Sequence, residues 1–256
     1  QGSLVLAILL IGLASLVLGM GLPVTAAYII LAILSAPALA GMLADQVILQ
    51  QLIEGSIAPA KGAFFMMVDH PMAMNVMTST AMTAAEANAL MAAMPFELAV
   101  TLRPALVDPT LMTLFLLKAH LIVFWLSQDS NVTPPVALAA FTAAGIAKSP
   151  PMATGVEAWK IAKGLYIVPL MFAYTPLVGG EWWEVAQLAV FALFGIYAFT
   201  SLLQLYAEGP LAWWHYPLLL IGLVGCFWPL ELTYNLVGAV AVVLVVWLSA
   251  RARVQP

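Results

Sequence analysis

Charge is what this chain lacks most. Lysine, arginine, aspartate and glutamate together make up 8% of its residues, against about a quarter in soluble domains, so an ordinary water-facing surface cannot be built from it. The Lys and Arg are scattered and the net charge is −4, which excludes the clustered basic patch that nucleic-acid binding needs. A single cysteine, Cys226, excludes an internal disulfide framework; between Gly225 and Phe227 its thiol reads as a packed apolar group. Missing too are G-x-S-x-G, H-E-x-x-H and the Walker A pattern, and Cys226 has no base close to it in sequence. The chain is therefore read as a non-enzyme with no cofactor, and no ATP-driven motor lies in it.

Apolar sequence is in excess. It makes up 64% of the chain with a mean hydropathy of +1.05, which identifies an all-α integral membrane protein crossing the lipid bilayer several times. The apolar stretches predict about six to eight membrane segments, some of them discontinuous or re-entrant. The sequence opens Gln1, Gly2, Ser3 without an initiator Met, a basic n-region or a cleavage site, and reads as part of a longer polypeptide.

Two interruptions stand out within the apolar text. Leu4 to Met20 and Val24 to Leu39 are two helices parted only by Gly21, Leu22 and Pro23; together they would extend roughly 54 Å as helix, too long for one crossing of a core about 30 Å thick. Residues 1–40 are thus a broken helix pair. Residues 111–147 repeat the plan: an apolar helix to Leu126, a polar break of Gln128, Asp129, Ser130, Asn131, Val132, Thr133, Pro134 and Pro135, and a short apolar half from Val136 to Ala147. Paired interrupted segments are the sequence mark of a secondary-transporter binding site.

In the second break Asp129, Ser130, Asn131 and Thr133 offer oxygen ligands, and Pro134 and Pro135 remove amide donors and so free carbonyls upstream. Oxygen-rich unwound backbone suits a hard cation such as Na⁺, with Asn131 and Thr133 the candidate ligands. A kinked helix whose polar groups satisfy one another is the alternative. In the first break Gly19 and Gly21 let backbone approach a ligand, Pro23 ends the helix and Thr25 supplies a hydroxyl; close helix packing is the alternative there.

Residues 41–110 differ in texture, with Asp45, Glu54, Lys61, Asp69, Glu86, Glu97, Arg103 and Asp108 set among alanine and methionine, and read as interfacial or extramembranous. The methionines between Ile57 and Met94 read as flexible filler and not as a metal cluster. Residues 148–163 form an amphipathic connector with Trp159, Lys160 and Lys163 at the headgroups. Residues 164–256 hold four apolar stretches, Gly164 to Val178, Val185 to Tyr206, Leu211 to Phe227 and Leu232 to Ala250. Lys148, Lys160 and Lys163 precede these and Arg251 and Arg253 follow, so four crossings put both basic ends in the cytoplasm and Glu181, Trp182, Trp183, Glu184, Trp228 and Glu231 on the far side. Lys118 either marks a functional charge or snorkels; His120 reads as a packed imidazole, His70 as part of a turn and His215 as an interfacial anchor.

At the two breaks the sequence resembles the large membrane subunit of tripartite ATP-independent periplasmic (TRAP) transporters, most closely the TAXI-type fused permeases. The matching text is Gly19-Met-Gly-Leu-Pro-Val-Thr-Ala-Ala-Tyr28 and the run from Asn131 through Thr133-Pro-Pro to Ala147. The resemblance covers residues 1–40 and 111–180 well and 41–110 poorly. It implies a Na⁺-coupled, elevator-type importer of small organic acids in a bacterial inner membrane, built from inverted repeats and fed by an extracytoplasmic TAXI-type substrate-binding protein. On that reading this chain holds one inverted repeat plus C-terminal helices, and its partners include the missing N-terminal repeat and the small membrane subunit. A non-transporting membrane scaffold that anchors a larger complex is the competing expectation.

Overall fold

The computed structural model describes residues 3–68, 70–162 and 164–254. Gln1, Gly2, Asp69 and Lys163 lie outside the described residues, and with them the expectations placed on Asp69 and Lys163. Among the described residues the protein has twelve α-helices and no β-strand. Four helical segments are long and apolar enough to cross a membrane, Val24–Glu54, Pro109–Asn131, Trp182–Gln204 and Leu232–Arg251, and three shorter ones are strongly apolar. It is an all-α, multi-pass membrane protein.

The chain divides into two compact units, one of residues 1–11 and 29–123, the other of 12–28 and 124–256. In the first unit the helix expected to end at Leu39 continues as α2, Val24–Glu54, with Pro37 inside it. The reason lies in the spacing: Ala36, Leu39, Ala40, Leu43, Ala44, Ile48 and Leu52 are all buried and recur every three or four residues, so one apolar stripe carries the helix on past residue 41. At 31 residues it extends roughly 46 Å, well beyond the hydrocarbon thickness.

A 3₁₀ segment Pro59–Met67 and helices α3 (His70–Met77), α4 (Ala84–Ala93) and α5 (Phe96–Leu106) follow. His70, expected in a turn, begins α3. Thr83 and Glu86 form a reciprocal capping box at the start of α4, which satisfies two otherwise orphaned amides. The Arg103 guanidinium of α5 grips Asp45 of α2 with two bonds of 2.8 Å. Gly41 makes room for it, because a Cβ there would lie 2.9 Å from Arg103 Nη1. Lys61 Nζ donates to the Leu106 carbonyl at 2.9 Å and so caps the end of α5.

In the second unit α6 (Pro109–Ser127, its last residues) leads through the break to α7 (Leu138–Ala147), α8 (Pro151–Ile161) and α9 (Gly164–Tyr174), then to α10 (Trp182–Gln204), α11 (His215–Phe227) and α12 (Leu232–Val254). The last three pack as antiparallel neighbours around Ala198, Leu219, Val242 and Val245. Asn235, 1% exposed, ties them: its amide donates to the carbonyls of Gly225 and Trp228 at the end of α11 and accepts from Gln187 of α10 at 2.8 Å. Cys226 is a buried thiol packed with Phe191 and Ala239, as its apolar neighbours in sequence predict.

Of the four C-terminal stretches α10 and α12 reach spanning length, while α9 has 11 residues, with Pro169 inside it, and α11 has 13. One expectation fails here. His215 is no interfacial anchor: it is 2% exposed, and its Nδ1 accepts the Ala212 amide at 3.0 Å. Its neighbour Trp213 is instead 81% exposed, and Arg251 lies 3.6 Å over the ring of Trp247.

Candidate functional site

The backbone of the second break follows from its prolines. In a continuing helix the carbonyls of Ser130 and Asn131 would receive the amides of residues 134 and 135, and both are proline, so the ladder stops. A 3₁₀ turn, Asp129–Asn131, takes over, and the Asp129 carbonyl collects the amides of Val132 and Thr133 at 3.1 and 3.0 Å. The Pro134–Pro135 bond is cis. Ala137 then sits in the left-handed region at φ +37° with no exposure, a conformation costing about 1 kcal/mol for a residue with a Cβ. Strain of this kind gathers where a fold over-determines a site.

Around that turn the side chains converge on one carboxylate. Asp129 is 2% exposed, Ser130 3% and Thr133 5%. Thr133 Oγ1 donates to Asp129 Oδ1 at 2.6 Å, and the Tyr166 hydroxyl of α9 donates to Asp129 Oδ2. Gly155 of α8 faces Pro134 and Phe141. Helices α8 and α9 therefore hold the break from one side.

Helix α1 (Leu4–Gly19) meets the break from another direction. Gly19 is buried against Ser130 so tightly that a Cβ at residue 19 would collide with the Ser130 Cβ, and Gly12 faces Leu126. Ser15 lies on the same face, three residues after Gly12 and four before Gly19. Its hydroxyl is fully buried and has no hydrogen-bond partner among the described residues. An unmet buried hydroxyl costs on the order of 1–3 kcal/mol.

Of the residues singled out in sequence, the structure brings together Gly19, Asp129, Ser130, Thr133 and Pro134. Asn131 is half-buried beside them. Pro135, Gly21, Pro23 and Thr25 are exposed, and a side chain at Gly21 would meet nothing within 4 Å. Tyr166 and Ser15 were not anticipated. Tyr166 lies 37 residues from Asp129 in apolar text, and no local pattern points to it; Ser15 was legible in the Gly12, Ser15, Gly19 spacing.

The site has a definite chemistry. Asp129 receives hydroxyl donors but, among the described residues, no cationic side chain, whereas Asp45 is met by Arg103 and Glu157 by Lys160. A buried carboxylate with its hydrogen bonds met and its charge unmet favours a cation. No group of three His, Cys, Asp or Glu able to hold a metal occurs among the described residues, so the donors on offer are one carboxylate, hydroxyls and carbonyls, the hard set that suits an alkali cation.

Comparison with known proteins places this site in a wider setting. Residues 1–178, which contain both breaks and helices α1 to α9, match the family described as "Tripartite ATP-independent periplasmic transporter, DctM component". No curated protein and no solved structure matches the chain.

Proposed function

The chain belongs to the DctM-component family of tripartite ATP-independent periplasmic transporters, and from that premise we propose that it is a Na⁺-coupled permease whose coupling ion binds at the Asp129 break. The observation that carries this reading is the buried Asp129 carboxylate, held by Thr133 and Tyr166 without a cationic partner among the described residues. Na⁺ supplies the missing charge, Thr133 lends its oxygen lone pairs, and the proline-freed carbonyls of Ser130 and Asn131 add neutral ligands. Ser15 completes the polar wall where α1 passes the turn. Loading and release of the ion then bias a break that the contacts to α1, α8 and α9 hold in place.

The cargo is a small organic acid handed over by a TAXI-type extracytoplasmic binding protein, and the membrane is a bacterial inner membrane. An upstream inverted repeat and a small membrane subunit supply the rest of the substrate cavity, which moves in an elevator-type step.

Reconstitution of the full-length transporter with its binding protein tests this. Uptake of small organic acids into proteoliposomes is expected to require an inward Na⁺ gradient, and Thr133→Ala to raise the Na⁺ concentration for half-maximal uptake about tenfold. Uptake that ignores the Na⁺ gradient would refute the coupling, an unchanged Na⁺ response in Thr133→Ala would remove that residue from the site, and no uptake of any acid would leave the chain a scaffold.

A further inference from the structure

The C-terminal helices lie beyond the family match, and their surface carries a feature that ion coupling does not use. One face of α10 changes character along its length. Val190, Leu193 and Phe194 line an apolar groove of about 360 Å³ whose other wall is Val242, Val243 and Val246 of α12. Tyr197 and Glu208 line it as well. The same two residues line a second cavity, of about 380 Å³, with Thr200, Ser201, Gln204 and Glu157. The stripe from Val190 to Gln204 keeps the spacing of a single helix face and extends about 21 Å, apolar over its first half and polar over its second.

Its setting is that of a lipid. Helices α10 and α12 are two of the four segments long and apolar enough to span, and Leu193 and Val243 are 70% and 52% exposed, so the groove opens toward acyl chains. The polar end lies at the C-terminal end of α10, beside the exposed connector helix α8 and at the same end as the Arg251–Trp247 stack of α12, the arrangement of residues at headgroup depth. There Glu208 accepts the Tyr197 hydroxyl at 3.2 Å and keeps its remaining lone pairs. Glu157 and Lys160, paired at 2.8 Å, put both signs of charge on the rim.

We propose that these two adjoining cavities bind a zwitterionic aminophospholipid, one acyl chain along Val190, Phe194 and Val242 and its ammonium on Glu208. Thr200 and Gln204, which line the second cavity, offer a hydroxyl and an amide to the phosphate. Glu157 and Glu208 both line this mouth and disfavour lipids of net negative charge, and a primary ammonium gives Glu208 the N–H donors that a quaternary one lacks. The site is independent of the Na⁺ reading.

The test is native mass spectrometry of the full chain, delipidated in detergent and then titrated with dioleoyl phosphatidylethanolamine, phosphatidylglycerol or phosphatidylcholine. The ethanolamine lipid is expected to be retained about tenfold more than either competitor, the worth of one charge-assisted hydrogen bond. Glu208→Gln removes that preference, and Val243→Trp, which fills the groove, lowers retention of all lipids. Both residues are exposed, so both variants keep the fold, which circular dichroism verifies. Equal retention of the three lipids by the unmodified chain, or an undiminished preference in Glu208→Gln, overturns the proposal; equal filling of the groove in Val243→Trp overturns its placement.

Discussion

Two aspartates in the two units answer the same problem in different ways. Asp45 is met by Arg103 in a bidentate pair whose side chains are 16% and 17% exposed, so charge and hydrogen bonds are settled together. Asp129 is 2% exposed and is met by two hydroxyls, which settle its hydrogen bonds and leave its charge. A structural pair is closed, whereas a carboxylate held only by neutral donors leaves room for a mobile cation. If Asp129 holds the coupling ion as proposed, that contrast separates the architectural charge of the molecule from its functional one.

Asp129→Asn tests the contrast most severely. It keeps the shape and removes the charge, and uptake in a Na⁺ gradient should fall about a hundredfold, on the order of 3 kcal/mol. For Asp45 the order of effects reverses. Arg103→Ala strands a carboxylate and should cost about 2 kcal/mol in thermal stability, less than a fully buried pair because water reaches this one. Adding Asp45→Asn to Arg103→Ala should restore most of that loss. If Asp129→Asn instead lowered stability and left Na⁺-driven uptake intact, the two aspartates would be alike.

Smaller effects sharpen the picture. Tyr166→Phe deletes one hydroxyl donor to Asp129 and should cost about 1 kcal/mol, read as a roughly fivefold rise in the Na⁺ needed for half-maximal uptake. Gly19→Ala should impair uptake through its collision with Ser130, while Gly21→Ala, with open space around it, should leave uptake unchanged; equal effects would dissolve the contact of α1 with the break. The smallest effect concerns the capping box. Bonds from the Thr83 amide and hydroxyl hold the Glu86 carboxyl below its ordinary value. A depressed folded pKa means the contribution is present above the unfolded value and lost as pH falls through the folded one. Acidification should therefore fray α4 in wild type, seen as lower amide-exchange protection factors after division by the intrinsic rate at each pH, and Glu86→Gln should flatten that dependence.

Local chemistry made the breaks readable in sequence. Pro134 and Pro135 stop a helix by themselves, and polar oxygens within apolar text signal a site. The helix ends near Gly19, Ser127 and Ala147 were legible for the same reason. What could not be read depends on distance in the chain. Arg103 and Asp45 are 58 residues apart, and Tyr166 and Asp129 are joined only because α8 and α9 fold back over the turn. The extension of α2 to Glu54 was missed because Asp45 looked like an interfacial charge; its partner and the apolar stripe through Leu43, Ile48 and Leu52 explain why the helix continues. His215, flanked by tryptophans, misled in the opposite sense, since the Ala212 amide draws the ring inward.

The account rests on Asp129 holding a cation, and the most direct measurement is the thermal stability of the solubilised protein in NaCl against choline chloride at equal ionic strength, for wild type and Asp129→Asn. A ligand that binds only the folded state stabilises it in proportion to the logarithm of its concentration over Kd. The account predicts a saturable rise in Tm with Na⁺ in wild type that is absent from Asp129→Asn. An identical Na⁺ response in both proteins, or none in wild type, would contradict it.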